Sequence, residues 1–179
     1  MSNRKFFSII AGICKKNKGI GFKGDLPWKN SEDLKYFRKV TTLRLDEKKM
    51  NAVIMGRKTL ESFKGKILPD RMNVCITSNN INDERILVFK EFNEALQYLY
   101  RDPIIENIFV IGGEALFKYA IEHPDCEEIL INEIDNDVFC DTFFPQIDDK
   151  RFMLSGTSKV ASDIENHRYI LKRSRFFTL

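Results

Sequence analysis

The chain holds 179 residues, 43% of them hydrophobic and 31% charged, with 29 Lys and Arg against 26 Asp and Glu for a net charge of +3. Such values describe one soluble globular domain with room for a sizeable core, here residues 1–179 with 173–179 as a short tail. Scattered basic residues argue against a nucleic-acid partner and the lack of a long apolar run against a membrane span, while four cysteines without C-x-x-C spacing beside two histidines argue against a structural metal.

The first apolar run, residues 7–13, follows Met1-Ser2-Asn3-Arg4-Lys5 directly. It is too short for a secretory signal and lacks a small-residue cleavage site, so it reads as a strand of a cytosolic protein. From Gly19 to Trp28 the chain carries three glycines, Pro27 and its only tryptophan, which predicts a mobile loop ending on an aromatic anchor. Residues 32–40 then show helical periodicity, and 3.6 residues per turn place Asp33 on one stripe with Leu34, Phe37 and Val40, opposite Glu32, Lys35 and Lys39. A carboxylate on an apolar stripe points inward, and a loop over it makes a lidded active site. The competing reading is a helix cap. Asn30 is a good N-cap, and Asp33 stands where a capping box places its acid and where the helix dipole favours one.

Further strands are predicted at 52–55, 72–77, 86–89, 107–111, 128–134 and 167–172, and helices at 57–63, 92–100 and 115–122. Their alternation implies a three-layer α/β fold, with a mostly parallel central sheet and helices on both faces. The last strands, without a helix between them, imply an antiparallel C-terminal edge. Ligands of such sheets sit at the carboxyl ends of the strands. Two turns there suit phosphate. Ile111-Gly112-Gly113-Glu114 leads into helix 115–122, and Met55-Gly56-Arg57-Lys58-Thr59 opens helix 57–63 with two cations that oppose the helix dipole unless an anion neutralises them. Neither is a G-x-G-x-x-G fingerprint, yet two such turns in one sheet point to a ligand with phosphates at more than one place, a dinucleotide.

Read in order, these segments resemble dihydrofolate reductase. The motifs are an Ile-Ile-Ala strand at 9–11, Gly19-Ile20-Gly21, Leu26-Pro27-Trp28, Asp33-Leu34 with Tyr36-Phe37, Val53-Ile54-Met55-Gly56-Arg57-Lys58-Thr59, Leu68-Pro69 with Arg71, Ile111-Gly112-Gly113, and Asp141-Thr142-Phe143-Phe144-Pro145. They cover the chain from the first strand to about Lys172 and favour chemistry over capping for Asp33. The resemblance implies NADPH-dependent reduction of 7,8-dihydrofolate to tetrahydrofolate in one-carbon metabolism, supporting thymidylate synthesis. Folate and antifolates are the implied small-molecule ligands. Because relatives in the family are fused to thymidylate synthase, a partner of that kind stays open.

By the same resemblance Asp33 accepts two hydrogen bonds from the 2-aminopyrimidine edge of the pterin and favours protonation at N5 through a water, while hydride reaches C6. Leu26 belongs to the loop that closes over the nicotinamide, and Trp28 completes the catalytic set. The substrate is expected against the backbone carbonyls of Ile9 and Ile111 and beside Ile10, Leu34, Phe37, Phe63, Leu68 and Asn132, with Arg71 gripping the α-carboxylate of the glutamate tail in its planar fork. The cofactor is expected along Ala11, Ile20, Gly24, Asp25 and Gly56. Arg57, Thr77 and Ser78 fall on the 2′-phosphate, Lys58 and Thr59 nearer the pyrophosphate, and Ile111, Gly112, Gly113, Glu114, Ala115, Leu116 and Phe117 complete that set. Three features depart from the family: Phe117 replaces a usual tyrosine, Asn132 a usual threonine, and Cys14-Lys15-Lys16-Asn17-Lys18 lengthens the loop ahead of Gly19. Two other functions stay open. The pyrimidine reductase of riboflavin synthesis shares the fold but has no need of Asp33, Phe37 and Arg71 together; a non-catalytic folate or nucleotide binder is motivated by Phe117 and Asn132.

Overall fold

A computed structural model describes residues 5–172; the expected tail 173–179 lies outside the described residues. The large sheet contains β1 (Phe7–Cys14), β3 (Met50–Gly56), β4 (Arg71–Ile76), β5 (Ile86–Phe89), β6 (Ile105–Gly112), β7 (Cys126–Ile134), β9 (Phe152–Ala161) and β10 (Ile164–Leu171). Their order is β5-β4-β3-β6-β1-β7-β10-β9. Neighbours from β5 to β7 are parallel, and β10 runs antiparallel to both β7 and β9. The antiparallel C-terminal edge expected from the sequence is therefore present.

The strand sequences explain this layering. Parallel strands are buried on both faces and read as near-continuous apolar runs, as Ser8-Ile9-Ile10-Ala11 and Ala52-Val53-Ile54-Met55 do. On one face Ile9, Ala11, Ile54 and Val110 pack against α3 (Phe92–Arg101) and α4 (Glu114–Glu122). On the other, Ile10, Val53, Met55, Phe109 and Leu130 meet Tyr36, Phe37 and Val40 of α1 (Ser31–Thr42) and Leu60 of α2 (Arg57–Ser62). In α3 the buried residues Phe92, Ala95, Leu96 and Leu99 recur at helical spacing and make one apolar stripe. Truncating Leu99 to alanine in such a packed seam costs about 2–5 kcal/mol.

Three strands carry no sequence signal. β2 (Gly19–Gly21) and β8 (Thr142–Phe143) are too short for a period and pair only with each other. In β9 only Phe152 is fully buried, because the strand is the outer edge, and its Ser-Gly-Thr-Ser-Lys centre shows no apolar alternation. Several expected boundaries also move by one to three residues: α1 runs on to Thr42, β3, β6 and β7 each start two residues earlier, and β10 starts at Ile164 rather than 167. Leu34 corrects the expected stripe. It is 53% exposed, because the buried arc of α1 runs through Asp33, Phe37 and Thr41, and a neighbour of Asp33 turned by one residue stands on its flank. Among the described residues no helix is long and apolar enough to cross a membrane.

Since β1, β3, β4 and β6 are parallel, their carboxyl ends gather on one edge, and Gly12, Gly56, Ile76 and Gly112 lie there. That edge positions the site.

Candidate active site

Asp33 lies in the first turn of α1 and is 7% exposed. Capping belongs to Asn30, whose Oδ1 accepts from the backbone N–H groups of Glu32 (3.1 Å) and Asp33 (3.2 Å). The Asp33 carboxylate instead turns to the sheet. Its Oδ1 accepts from Asn132 Nδ2 of β7 at 2.9 Å and its Oδ2 from Trp28 Nε1 at 3.4 Å. Gly12 makes the space: a Cβ there would lie 2.9 Å from Asp33 Oδ2. Burial pushes the Asp33 carboxyl above its ordinary value, and the bonds from Asn132 and Trp28 draw it back down. The result is a buried acid held by neutral donors, with no paired cation among the described residues.

Beside it the α1 face of the sheet is apolar. Ile10, Phe37, Phe63, Leu68 and Ile111 belong to one cluster, while Leu34 and Leu26 are half exposed. Asn73 fixes the Leu68 backbone from both sides, accepting from its N–H (2.9 Å) and donating to its carbonyl (2.8 Å). Ile9 points its side chain into the opposite core, so only its backbone faces this way. At the far end of α1 stands Arg71, 7% exposed, with Nε donating to Pro69 O (2.9 Å), Nη1 to Thr41 Oγ1 (2.8 Å) and its guanidinium 5.9 Å from the Phe37 ring centroid. Burial and then the Arg38 charge lower its pKa. Nearby Asp70 pairs with Arg38 at 3.7 Å, and no carboxylate of the described residues forms an ion pair with Arg71. A buried guanidinium with unused donors suits a planar anion.

The two glycine turns come together. A Cβ on Gly56 would lie 3.9 Å from Gly112 O and Gly113 N, and one on Gly112 or Gly113 would lie 3.3 Å from Thr59 Oγ1. Gly112 has φ +131°, a conformation that favours glycine, and the Gly112-Gly113 peptide bond is cis. Neither Gly56 nor Gly113 caps its helix with a side chain, which leaves first-turn N–H groups of α2 and α4 for another acceptor. The anion that the sequence demands for Arg57 is partly supplied by Glu61 of the same helix, an ion pair that the pattern did not reveal. Lys58 is exposed. Thr77 and exposed Ser78 follow β4 beside Gly56, with Thr77 Oγ1 accepting from Asn79 N at 3.1 Å.

The remaining expected residues divide. Ala11, Ile20, Leu116 and Phe117 border the α4 side, and the Phe117 ring meets Phe144 at 5.0 Å between centroids, tilted by 55°. Ala115 is exposed, and Glu114 is occupied by Phe143 N (3.1 Å) and Lys118 (3.7 Å). Gly24 turns with φ +79°, and Asp25 faces Lys64 at 3.7 Å across the mouth of the site. The loop is clasped by β8: Lys23 N donates to Asp141 Oδ2 and Asp141 N to Gly21 O, each at 2.9 Å. Sequence reasoning missed Gly12, Thr41, Asp141 and Asn166 as parts of the site. A glycine inside an apolar strand signals Gly12 and the Asp141-Thr142-Phe143-Phe144-Pro145 motif signals Asp141, whereas no pattern marks Thr41 or Asn166. Among the described residues no group of three or more His, Cys, Asp or Glu gathers as a metal site.

A family model described as Dihydrofolate reductase matches residues 6–175. The chain is 36% identical over 181 residues to the dihydrofolate reductase of Aedes albopictus, covering 97% of each. It is 36% identical over 163 residues to that of Heliothis virescens, covering 87% of this chain and 88% of the relative. Over 154 residues it is 42% identical to the bifunctional dihydrofolate reductase-thymidylate synthase 1 of Arabidopsis thaliana, 81% of this chain and 30% of that protein.

Proposed function

The chain belongs to the dihydrofolate reductase family and reduces 7,8-dihydrofolate to 5,6,7,8-tetrahydrofolate, and we propose that Asp33, Arg71 and the paired glycine turns carry this reaction with NADPH as reductant. The observation that supports the substrate assignment most is Arg71, a buried cation with no carboxylate ion pair among the described residues, standing across an apolar cluster from a buried acid. Eight residues of helix separate Asp33 from Thr41, the residue that holds Arg71, about 12 Å at 1.5 Å per residue. A ligand with an amino-pyrimidine at one end and a carboxylate at the other fits that spacing. The ribosylamino-pyrimidine of the alternative reductase offers no carboxylate for Arg71.

In this reading ionised Asp33 accepts two N–H bonds from the 2-aminopyrimidine edge and, by fixing the ring, favours the N5-protonated form. The proton reaches N5 from solvent through a water; C6 takes the hydride, and the N5–C6 double bond becomes single. Phe37, Phe63 and Leu68 hold the benzoyl group with Leu34 beside them, Leu26 closes over the nicotinamide with its loop, and Arg71 binds the tail carboxylate through two parallel hydrogen bonds. Bound NADPH supplies the hydride.

The glycine cradle fits that cofactor, because side chains at Gly112 or Gly113 would crowd Thr59 and close the approach to the backbone. Thr59, Lys58 and the uncapped helix ends would hold its pyrophosphate, and Arg57, Thr77 and Ser78 the 2′-phosphate, with Glu61 yielding Arg57. Ala11, Ile20 and Phe117 would border the nicotinamide, and clasping of the loop by Asp141 would exclude water there. A cytosolic setting belongs to the same proposal and fits four free thiols. One domain serving both ligands is also proposed, and a thymidylate synthase joined to it, as the plant relatives' names describe, is tested by the length of the native polypeptide. The enzyme test is oxidation of NADPH, followed by absorbance, on adding dihydrofolate. Absence of oxidation with both ligands bound overturns the reading.

A further inference from the structure

Behind Asp33 lies a second buried amide. Asn166 of β10 is directly opposite Asn132 in the antiparallel register, and both are almost wholly buried, at 5% and 3% exposed. Asn166 Nδ2 donates to Asn132 Oδ1 at 2.9 Å and to Ile131 O at 3.3 Å, while Asn132 Nδ2 donates to Asp33 Oδ1 at 2.9 Å. Three polar side chains thus form one line into the site.

The orientation of each amide follows from the acid. An ionised carboxylate only accepts, so Asn132 must show it the NH2 end, and its Oδ1 must then face away. An asparagine side chain is nearly symmetric in shape, and rotating Asn132 by half a turn would set its oxygen against the carboxylate. A donor on its far side forbids that rotation, because the flipped amide would meet NH2 with NH2 as well as oxygen with oxygen. Asn166 is that donor, itself oriented by the Ile131 carbonyl. A hydroxyl in place of Asn132 would need no such support, since its O–H rotates freely.

We propose that Asn166 is a positioning residue for Asp33, acting through Asn132 by fixing the amide that donates to the carboxylate. The inference rests on Asp33 being the acid of the site. On this side of the sheet the other charges of β7 and β10 are Glu128 and Arg168, which share the face of Asn132 and Asn166 by alternation, pair with each other and act on Tyr36 of α1. Glu133, Glu165 and His167 fall on the opposite face by strand alternation and engage one another and Lys18, Glu32 pairs with Lys35 outside α1, β1 contributes Gly12, and the loop contributes Trp28.

The test is a 13C titration of the Asp33 carboxyl in the free enzyme, assigned with Asp33→Asn, alongside single-turnover hydride transfer at neutral pH. Asn166→Leu removes the donor at similar volume, and Asn166→Ala replaces that variant if the leucine is not accommodated. Loss of one oriented hydrogen bond is expected to raise the Asp33 pKa by about half to one unit and to slow hydride transfer roughly two- to tenfold. In an Asn132→Thr background the same replacement should change neither. A folded Asn166 variant with an unshifted titration, or one shifted equally in both backgrounds, overturns the proposal. Neither result touches the assignment of Asp33, which stands or falls on the activity of Asp33→Asn.

Discussion

Asp33 is kept where its charged form is disfavoured, so its chemistry and its stability contribution oppose each other. Its folded pKa is raised, and an acid of that kind costs nothing while protonated in both states. The cost grows as pH climbs from the ordinary carboxylate range through the folded pKa and is full above it. Asp33→Asn should therefore gain stability relative to wild type as pH rises through that window, read as the difference in melting temperature. The same variant should lose most turnover at neutral pH, with a smaller defect in acid, where substrate arrives protonated. A difference in melting temperature that is flat with pH would contradict the first expectation, and unimpaired turnover the second. Arg71 is judged by its two fixed donors and its place over Phe37. Arg71→Ala should weaken dihydrofolate by about 1.5–3 kcal/mol, roughly tenfold to over a hundredfold in KM, and Arg71→Lys should not restore it because a point charge lacks the fork. A reduced pterin without the glutamate tail should be turned over equally by wild type and variant. For Arg57, Arg57→Ala should weaken NADPH more than NADH; equal losses would move the 2′-phosphate contact elsewhere.

At the scale of elements, the loop over the site depends on a sheet of two short strands. β2 approaches β8 so closely at Gly19 that an added Cβ would lie 2.1 Å from Cys140 Sγ and 2.3 Å from Cys140 Cβ. The second atom cannot swing away as a flexible tip would, so the backbone itself must give. Gly19→Ala is expected to cost about 1–3 kcal/mol, typical of overpacking, and to loosen the clasp that Asp141 makes with Lys23 and Gly21. Urea unfolding with NADPH affinity measured in parallel checks both parts. An unchanged midpoint would mean that the two strands separate without consequence for the fold.

On the scale of the whole molecule, the residues proposed for the two ligands come from separate strands and helices, so in this reading binding requires the folded sheet. NADPH at a hundred times its Kd should add about 2.7 kcal/mol, and at roughly 2–4 °C per kcal/mol for a domain of this size the melting temperature should rise by about 5–11 °C. NADH at equal concentration should raise it less. Equal shifts in a thermal melt would remove the case for a 2′-phosphate site.

Local pattern determined a large part of this protein. The apolar strands declared a sheet buried on both faces, the glycines marked the turns that end β3 and β6, and helical spacing turned an acid toward the sheet, because each of these is set by neighbours a few residues away. Tertiary structure decided what depends on residues distant in the chain. That Asp33 would leave capping to Asn30 turned on Asn132, 99 residues along; that Arg71 would be held in a buried place turned on Thr41 at the far end of a helix; and the edge strand β9 exists because β10 supplies its hydrogen bonds, not because its own residues demand it. Burial, register and the direction of a hydrogen bond are properties of pairs, and a pair brought together by topology leaves no period in the sequence.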